Sequence, residues 1–241
     1  MLLVMSQSPL EKIFPDARMF RPPYLRGSGL GGETVSYQLA LQCGGWGGAQ
    51  ARLQVESPWK EAVRLFRVGM VPCELPAYPE ACDEGYLTVK PGLFPDPLFP
   101  LEDGVVELSS FGPTVVWVDV SIPRGCPAGS YPIRITAACG EDREETTFTL
   151  DVVGADLPEQ ELAYTQWLHG DCLAEEYGVP VYSERYWGLL ERYIRAAAEE
   201  GMNMVLTPML TPPLDTQVGG ERPCTQLCLL YTSPSPRDTT L

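Results

Sequence analysis

The chain has 241 residues, of which 44% are hydrophobic and 20% are charged, a composition typical of a globular protein that buries a core. Asp and Glu number 32 against 17 Lys and Arg, and the formal net charge of −15 disfavours nucleic acid and anionic membranes as partners. No apolar run reaches the roughly 20 residues that a membrane-spanning helix requires. We therefore expect no nucleic-acid or membrane partner, and one large domain or two small ones.

Residues 30–156 are predicted to form an antiparallel β-sandwich, because they contain segments in which apolar and polar residues alternate without an intervening helical period. Residues 1–29 are predicted to be a lead-in segment, and the Pro-rich residues 76–104 an irregular loop. The predicted strands are 33–42, 51–55, 62–71, 116–122, 131–137 and 146–152.

The pattern changes after residue 156. A short strand is predicted at 163–168 and a helix at 183–200, with Ser183 as N-cap and Gly201 as the residue after the C-cap. A short buried strand is predicted at 204–206. Strand, helix and strand with short links are typical of βα units in a parallel sheet. We therefore expect residues 157–227 to be the first part of an incomplete (β/α)8 TIM barrel, which needs about 250 residues to close. Apolar residues repeat along one face of the helix: Tyr186, Leu189, Leu190, Tyr193, Ile194 and Ala197.

Cysteine and histidine are placed unfavourably for a metal site. The eight cysteines form no C-x-x-C motif, and His169 is the single histidine of the sequence. Scattered free thiols are typical of a reducing compartment. The first residues also lack the basic region of a signal peptide, so a cytoplasmic location is expected, or a secreted parent protein if the start codon is mis-assigned.

Residues 228–241 are predicted to be a non-native tail. The run 228–238 (CLLYTSPSPRD) resembles one translated reading frame of a transposase sequencing adapter. The alternative is a natural linker rich in Ser and Pro.

Several segments together resemble glycoside hydrolase family 123 and its relatives that carry the domain of unknown function 4091. In the second half they are 167–174 (WLHGDCLA), 201–208 (GMNMVLTP), and 211–216 (TPPLDT) with 219–223 (GGERP). In the first half they are 32–40 (GETVSYQLA), 91–98 (PGLFPDPL) and 128–131 (AGSY). The resemblance extends over about residues 10–227.

The resemblance implies a sandwich followed by a catalytic barrel that hydrolyses terminal β-linked 2-acetamido-2-deoxy sugars, such as N-acetylgalactosamine, without a cofactor. It implies substrate-assisted catalysis, in which the acetamido oxygen attacks the anomeric carbon and an adjacent Asp-Glu pair supplies the carboxyl groups. The only Asp-Glu dipeptide of this sequence is Asp83-Glu84, in the Pro-rich loop, where it does not match the family motif. We therefore expect the catalytic pair to be absent from this fragment and the fragment to be inactive.

Five residues are candidates for the substrate-binding rim, because barrel active sites lie at the carboxyl ends of strands. His169 and Asp171 follow the first barrel strand and can hydrogen-bond sugar hydroxyls, or pack structurally and cap the next helix. Asp215 and Arg222 follow the second strand and can bind sugar, or pair with each other. Trp167 can stack on a sugar ring or fill the barrel core.

The alternative function is a non-catalytic sandwich that binds carbohydrate or serves a structural role. Trp46 and Trp59 are the aromatic residues that favour this alternative, provided that they lie on one exposed face. Packing in the core or in turns is the other interpretation of these two residues.

Overall fold

The computed structural model describes residues 1–17, 22–44, 48–74, 84–109 and 111–206. The chain divides into two compact units, Met1–Pro158 and Glu159–Leu241. Each unit is described by itself below.

In its described residues the first unit has ten strands and one short 3-10 helix, Lys60–Ala62. The strands are β1 (Leu2–Gln7), β2 (Arg26–Gly31), β3 (Thr34–Cys43), β4 (Ala49–Glu56), β5 (Val63–Cys73), β6 (Gly92–Pro100), β7 (Val105–Leu108), β8 (Thr114–Ser121), β9 (Gly129–Cys139) and β10 (Asp142–Asp156). They form two five-stranded sheets, in the orders β1-β3-β8-β5-β6 and β2-β10-β9-β4-β7. The pairs are antiparallel, except that β2 runs parallel to β10. The predicted architecture of antiparallel sheets is therefore confirmed, with one parallel edge pair that the alternation did not predict.

One core joins the two sheets. Tyr37 of β3 stacks on Phe148 of β10 with ring centroids 4.3 Å apart and an angle of 12° between the planes. Both rings are almost fully buried. The alternating apolar residues of the strands meet around them, as expected of a sandwich. Other members of this core are Leu39, Leu41, Val116, Val118, Ile133, Ile135 and Leu150.

Residues 1–29, which were predicted to be a lead-in segment, contribute β1 and β2 to the two sheets. β2 has the sequence RGSGLG, which shows no apolar alternation. Its glycines are required by close neighbours. A Cβ at Gly27 would lie 2.8 Å from the Phe148 ring, and one at Gly29 would lie 2.7 Å from Val35. The glycines of this strand are therefore explained by the packing of its neighbours, and the strand has no apolar alternation from which it could be predicted.

The prediction of an irregular loop over 76–104 is wrong for its second half. β6 (Gly92–Pro100) pairs with β5, with a register shift between Val68 and Met70. β6 is the edge strand of its sheet. Proline is tolerated at an edge because one side of the strand needs no donor for a ladder hydrogen bond. The prolines that suggested a loop are therefore compatible with this strand.

The second unit places two helices between two parallel strands. β11 (Thr165–Trp167), α1 (Gly170–Glu176), α2 (Glu184–Glu199) and β12 (Met204–Leu206) follow one another along the chain. β11 and β12 pair in parallel. The prediction that 204–206 is buried is wrong, since Met204 is 50% exposed and Val205 is 37% exposed. In the described residues this sheet has only two strands, which leaves these side chains partly uncovered. No helix among those described is long and apolar enough to cross a membrane.

The predicted caps of α2 are confirmed. The Ser183 hydroxyl accepts a hydrogen bond from the Tyr186 amide at 3.2 Å. At the other end Gly201 has φ +95°. Its amide donates to the Ala198 carbonyl at 3.1 Å, and the Met202 amide donates to the Ala197 carbonyl at 3.0 Å. These two bonds form a Schellman motif, which explains why glycine stands at this position.

A substitution at Tyr37 tests the packing of the sandwich core. No hydrogen-bond partner for the Tyr37 hydroxyl is found among the described residues. A buried unpaired hydroxyl is destabilising. We expect Tyr37→Phe to raise the free energy of unfolding by about 1 kcal/mol, measured by chemical denaturation. The matched control is Tyr131→Phe, which removes a hydroxyl that donates to the Pro127 carbonyl at 2.9 Å and should not stabilise.

The same variant has a pH signature. Burial raises the pKa of Tyr37 above its ordinary value of 10.0, because the phenolate is the disfavoured form inside the core. Above about pH 10 Tyr37 ionises in the unfolded chain but not in the folded one, so the wild type should lose stability there by a contribution that Tyr37→Phe lacks. An advantage of the variant that is absent near neutral pH, or that does not grow in alkali, would contradict this account.

Candidate functional site

The candidate site lies where β11 and β12 end. The two strands are parallel, with Thr165 opposite Met204 and Trp167 opposite Leu206. Their carboxyl ends are therefore side by side on one edge of the sheet. The segment that follows β11 carries His169 and enters α1 directly. This edge is where ligands bind in parallel sheets that are built from βα units.

His169 occupies the N-cap position of α1 with extended backbone angles, φ −102° and ψ 92°. Its side chain does not cap the helix and is half-buried. Its carbonyl accepts a hydrogen bond from the Cys172 amide at 3.2 Å. The backbone therefore fixes His169 directly after the strand, on the edge just described.

Asp171 lies within α1, one residue after Gly170 at the start of the helix. The N-cap position belongs to His169, and the alternative that Asp171 caps the helix stays a prediction, because its side chain lies outside what the structure describes. A carboxylate in the first turn still favours the helix, since the free amides there carry partial positive charge.

For the other predicted rim residues the structure describes at most the backbone. The structure describes the backbone of Trp167 at the last position of β11, and the side chains of Trp167 and Asp171 lie outside what it describes. Asp215 and Arg222 lie outside the described residues. The structure thus brings Trp167, His169 and Asp171 to one strand end, and the roles of all five residues stay predictions.

Gly170 fixes the turn after β11 through its close contact with α2. In the sequence it stood out only as a member of the run 167–174. A Cβ built at this residue would overlap with the Tyr186 hydroxyl and lie 3.3 Å from Tyr186 Cζ. Tyr186 is 2% exposed and belongs to a small core with Ala174, Val179 and Leu189. α2 therefore packs directly against the turn that carries His169. The i, i+3 pattern identified Tyr186 as buried, but it did not show that glycine must face it.

Asn203 is a second positioning residue that the sequence analysis did not single out. Its side-chain oxygen accepts from the Tyr164 amide at 2.8 Å, and its side-chain nitrogen donates to the Leu162 carbonyl at 3.0 Å. The Tyr164 carbonyl in turn accepts from the amides of Asn203 and Met204 at 3.2 and 3.1 Å. Asn203 thus joins the start of β12 to the segment before β11. Its place in the run 201–208 was the only signal for it in the sequence.

Two clefts of about 760 and 780 Å³ lie in the sandwich, and neither contains a residue of the second unit. The first is lined by residues around Phe14 and Phe94, the second by residues around Arg64 and Leu101. In the part of the chain that the structure describes, no cluster of three or more His, Cys, Asp or Glu side chains can hold a metal ion.

Trp46 and Trp59, the two residues that favoured a non-catalytic sandwich, do not form an exposed aromatic surface in the described residues. Trp59 packs against the sandwich core, with its ring centroid 4.5 Å from that of Tyr131. The core-packing interpretation is therefore correct for Trp59. Trp46 lies outside the described residues. Of the dipeptide Asp83-Glu84, Asp83 also lies outside them, and Glu84 is exposed.

Residues 167–233 match the sequence model of the glycoside hydrolase 123 catalytic domain. The match begins at the last residue of β11 and continues through α1, α2 and β12. It also includes residues 228–233, which the sequence analysis assigned to a non-native tail, so the tail and its boundary stay a prediction.

The fold is similar to that of a family 123 glycoside hydrolase from Clostridium perfringens, whose structural analysis concerned glycolipid glycan hydrolysis. The TM-score is 0.66 at 12% identity, and the alignment covers 84% of this chain and 36% of that one. The chain therefore spans about a third of the length of that enzyme. At this identity the likeness shows the fold alone.

Two further solved structures align less well. One is AvmM, described as catalysing macrocyclization in alchivemycin A biosynthesis, with TM-score 0.30, 11% identity and coverage of 67% of this chain and 92% of that one. The other is the CooA pilin subunit of enterotoxigenic Escherichia coli, with TM-score 0.31, 10% identity and coverage of 64% and 99%. Neither likeness carries a functional argument. No curated protein matched the chain.

The contact between Gly170 and Tyr186 is tested by adding a methyl group. We expect Gly170→Ala to destabilise the second unit by about 1–3 kcal/mol, because the added Cβ overlaps with the hydroxyl group of the buried Tyr186 side chain. Hydrogen exchange of the α1 and α2 amides in the full chain would report the loss of protection. The matched control is Gly188→Ala in α2, where an added Cβ meets no atom within 4 Å and alanine favours the helix.

A double-mutant cycle completes this test. Tyr186→Phe removes the hydroxyl that an added Cβ at Gly170 would overlap. We therefore expect Gly170→Ala to cost less in the Tyr186→Phe background than in the wild type. Equal costs in both backgrounds would show that the two residues do not contact each other as described.

Proposed function

We propose that this chain is part of a glycoside hydrolase that cleaves terminal β-linked 2-acetamido-2-deoxy sugars. On this proposal the first unit is the accessory sandwich, and residues from 159 onward are the first βα units of a (β/α)8 catalytic domain. The supporting observation is that the match to the glycoside hydrolase 123 catalytic domain begins at the end of β11, where the fold changes from the sandwich to parallel strands.

The similarity of fold supports the same proposal independently. The family 123 enzyme aligns with 84% of the chain, which is more than either unit alone could supply. Both the sandwich and the second unit thus contribute to the likeness. The choice of N-acetylgalactosamine over other 2-acetamido sugars rests on the family resemblance of the sequence.

The residues at the strand ends have the chemistry that sugar binding requires. An imidazole at 169 and a carboxylate at 171 can exchange hydrogen bonds with hydroxyl groups, and an indole at 167 can stack on the apolar face of a pyranose ring. Asp215 and Arg222 are proposed to complete the rim from the segment after β12. All five residues would bind and orient substrate, and none is assigned a bond-breaking role.

The two carboxyl groups of catalysis are proposed to lie outside these 241 residues. In substrate-assisted hydrolysis one carboxylate orients the acetamido group and a neighbouring carboxyl protonates the leaving oxygen. Asp83-Glu84 is the one Asp-Glu dipeptide in the sequence, and it belongs to the first unit. It does not follow a strand of the parallel pair.

Binding without turnover is the expected behaviour of the chain. Saturation-transfer NMR with methyl 2-acetamido-2-deoxy-β-galactoside should show weak binding, with the acetamido methyl group among the protons closest to the protein. Methyl β-galactoside is the matched control, because it lacks only the acetamido group. His169→Ala should weaken the signal, whereas His169→Gln, which keeps a hydrogen-bonding side chain, should preserve more of it. Equal signals from both sugars would contradict the proposed substrate class.

The absence of the catalytic pair predicts the absence of hydrolysis. The purified chain should release no nitrophenol from 4-nitrophenyl 2-acetamido-2-deoxy-β-galactoside above the rate of the buffer, since binding residues alone do not stabilise the transition state. Turnover that co-purifies with the chain and is reduced at least tenfold by His169→Ala would contradict the assignment of the catalytic groups. The Asp83→Asn and Glu84→Gln variants would then test whether this dipeptide supplies them.

A further inference from the structure

Two cysteines from opposite sheets of the sandwich meet where their strands, β3 and β9, end. Cys43 is the last residue of β3 and Cys139 is the last residue of β9. Their sulfur atoms lie 3.9 Å apart, although the residues are 96 positions apart in the sequence. Both side chains are half-buried and pack against the sandwich core. The two thiols are therefore held together by the fold and not by proximity along the chain.

The surroundings of the pair permit both approach and reaction. Each cysteine precedes a glycine at the end of its strand, and Gly140 has φ +60° in the tight turn between β9 and β10. The sulfur atoms must approach each other by about 2 Å to reach the length of a disulfide bond. Partial exposure leaves the sulfur atoms accessible to a small reagent.

We propose that Cys43 and Cys139 are an oxidation site that forms a disulfide between the two sheets. The oxidant is a low-molecular-weight disulfide of the glutathione class. The thiolate of one cysteine attacks a sulfur of this disulfide and forms a mixed disulfide, with release of one glutathione thiol. The second cysteine then attacks the protein sulfur of the mixed disulfide and releases the other glutathione thiol. Two protein thiols are oxidised, one glutathione disulfide is reduced, and the two protons leave with the released thiols.

The two thiols are not equivalent in this sequence of steps. Burial, together with the hydrogen bond to Cys43, raises the pKa of the Cys139 thiol. Less of Cys139 is therefore present as thiolate at neutral pH, and we expect Cys43 to form the mixed disulfide first. Cys139 then acts as the resolving thiol. This order agrees with the geometry, in which the Cys139 thiol donates to the Cys43 sulfur.

The bond would close a loop that spans most of the sandwich and connect β3 of one sheet with β9 of the other. Loop closure of this length restricts the unfolded chain strongly. The first unit should therefore be more stable when oxidised. Both cysteines are free thiols in the structure, as the sequence predicted, but the fold makes these two spatial neighbours.

The test uses the full chain equilibrated with defined ratios of oxidised to reduced glutathione. After alkylation of the remaining thiols, peptide mapping by mass spectrometry should show a peptide linked through Cys43 and Cys139. The Tm of the sandwich should rise by about 5–15 °C on oxidation. Cys73→Ser, which alters a cysteine outside the pair, should leave both results unchanged.

The single variants define the order of the steps. Cys139→Ser should trap glutathione on Cys43 as a stable mixed disulfide, and Cys43→Ser should accumulate it on Cys139 more slowly. The proposal would be overturned by wild-type protein that carries glutathione on both cysteines without a crosslink, by crosslinks between chains in place of the internal one, or by a Tm that falls on oxidation. The wild-type experiment decides the matter even if a variant fails to fold.

Discussion

Parallel pairing of β11 with β12 is the constraint on which the candidate site depends. Strands of three residues each supply few hydrogen bonds, so the pair is stabilised mainly from outside. Asn203 binds the chain before β11 through both atoms of its amide group, and α2 packs on the turn after β11 through Tyr186 and Gly170. These contacts bring the two carboxyl ends to one edge. Without them, the end of β11, which His169 follows, would not be held beside the end of β12.

The sandwich differs in the way it is stabilised. Its strands are long, and its core is continuous between the two sheets, with Tyr37 and Phe148 stacked at its centre. Stability is thus distributed over many buried side chains, and a single substitution at the surface should change little. The second unit has a small core of four buried residues among those described, so individual contacts such as that of Gly170 carry more of its stability.

The sequence predicts those elements whose pattern is local. The apolar repeat and the caps Ser183 and Gly201 define α2 closely, because a capped amphipathic helix carries its own signals. β2 and β6 were missed, since a glycine-rich strand and a proline-containing edge strand are acceptable only beside particular neighbours. The helix α1 was also missed, because seven residues are too short for a periodic signal.

The candidate site was likewise predictable where it depends on the order of elements, and not where it depends on contacts between distant residues. The position of His169 after a strand followed from the order of elements, and the structure places it at the N-cap of α1. The roles of Gly170 and Asn203 depend on contacts with residues far away in the sequence, which no pattern within their own segments reveals. The proximity of Cys43 and Cys139 depends in the same way on the packing of the two sheets.

The central claim is that the strand ends of the second unit form a sugar site. Its most direct test is a titration of the ¹⁵N-labelled chain with methyl 2-acetamido-2-deoxy-β-galactoside, with backbone amide shifts as the observable. The account predicts that the shifts that change with sugar concentration cluster at residues 168–172, after β11, and leave the strands of the sandwich unchanged. Saturable changes confined to the sandwich, with none after β11, would contradict it.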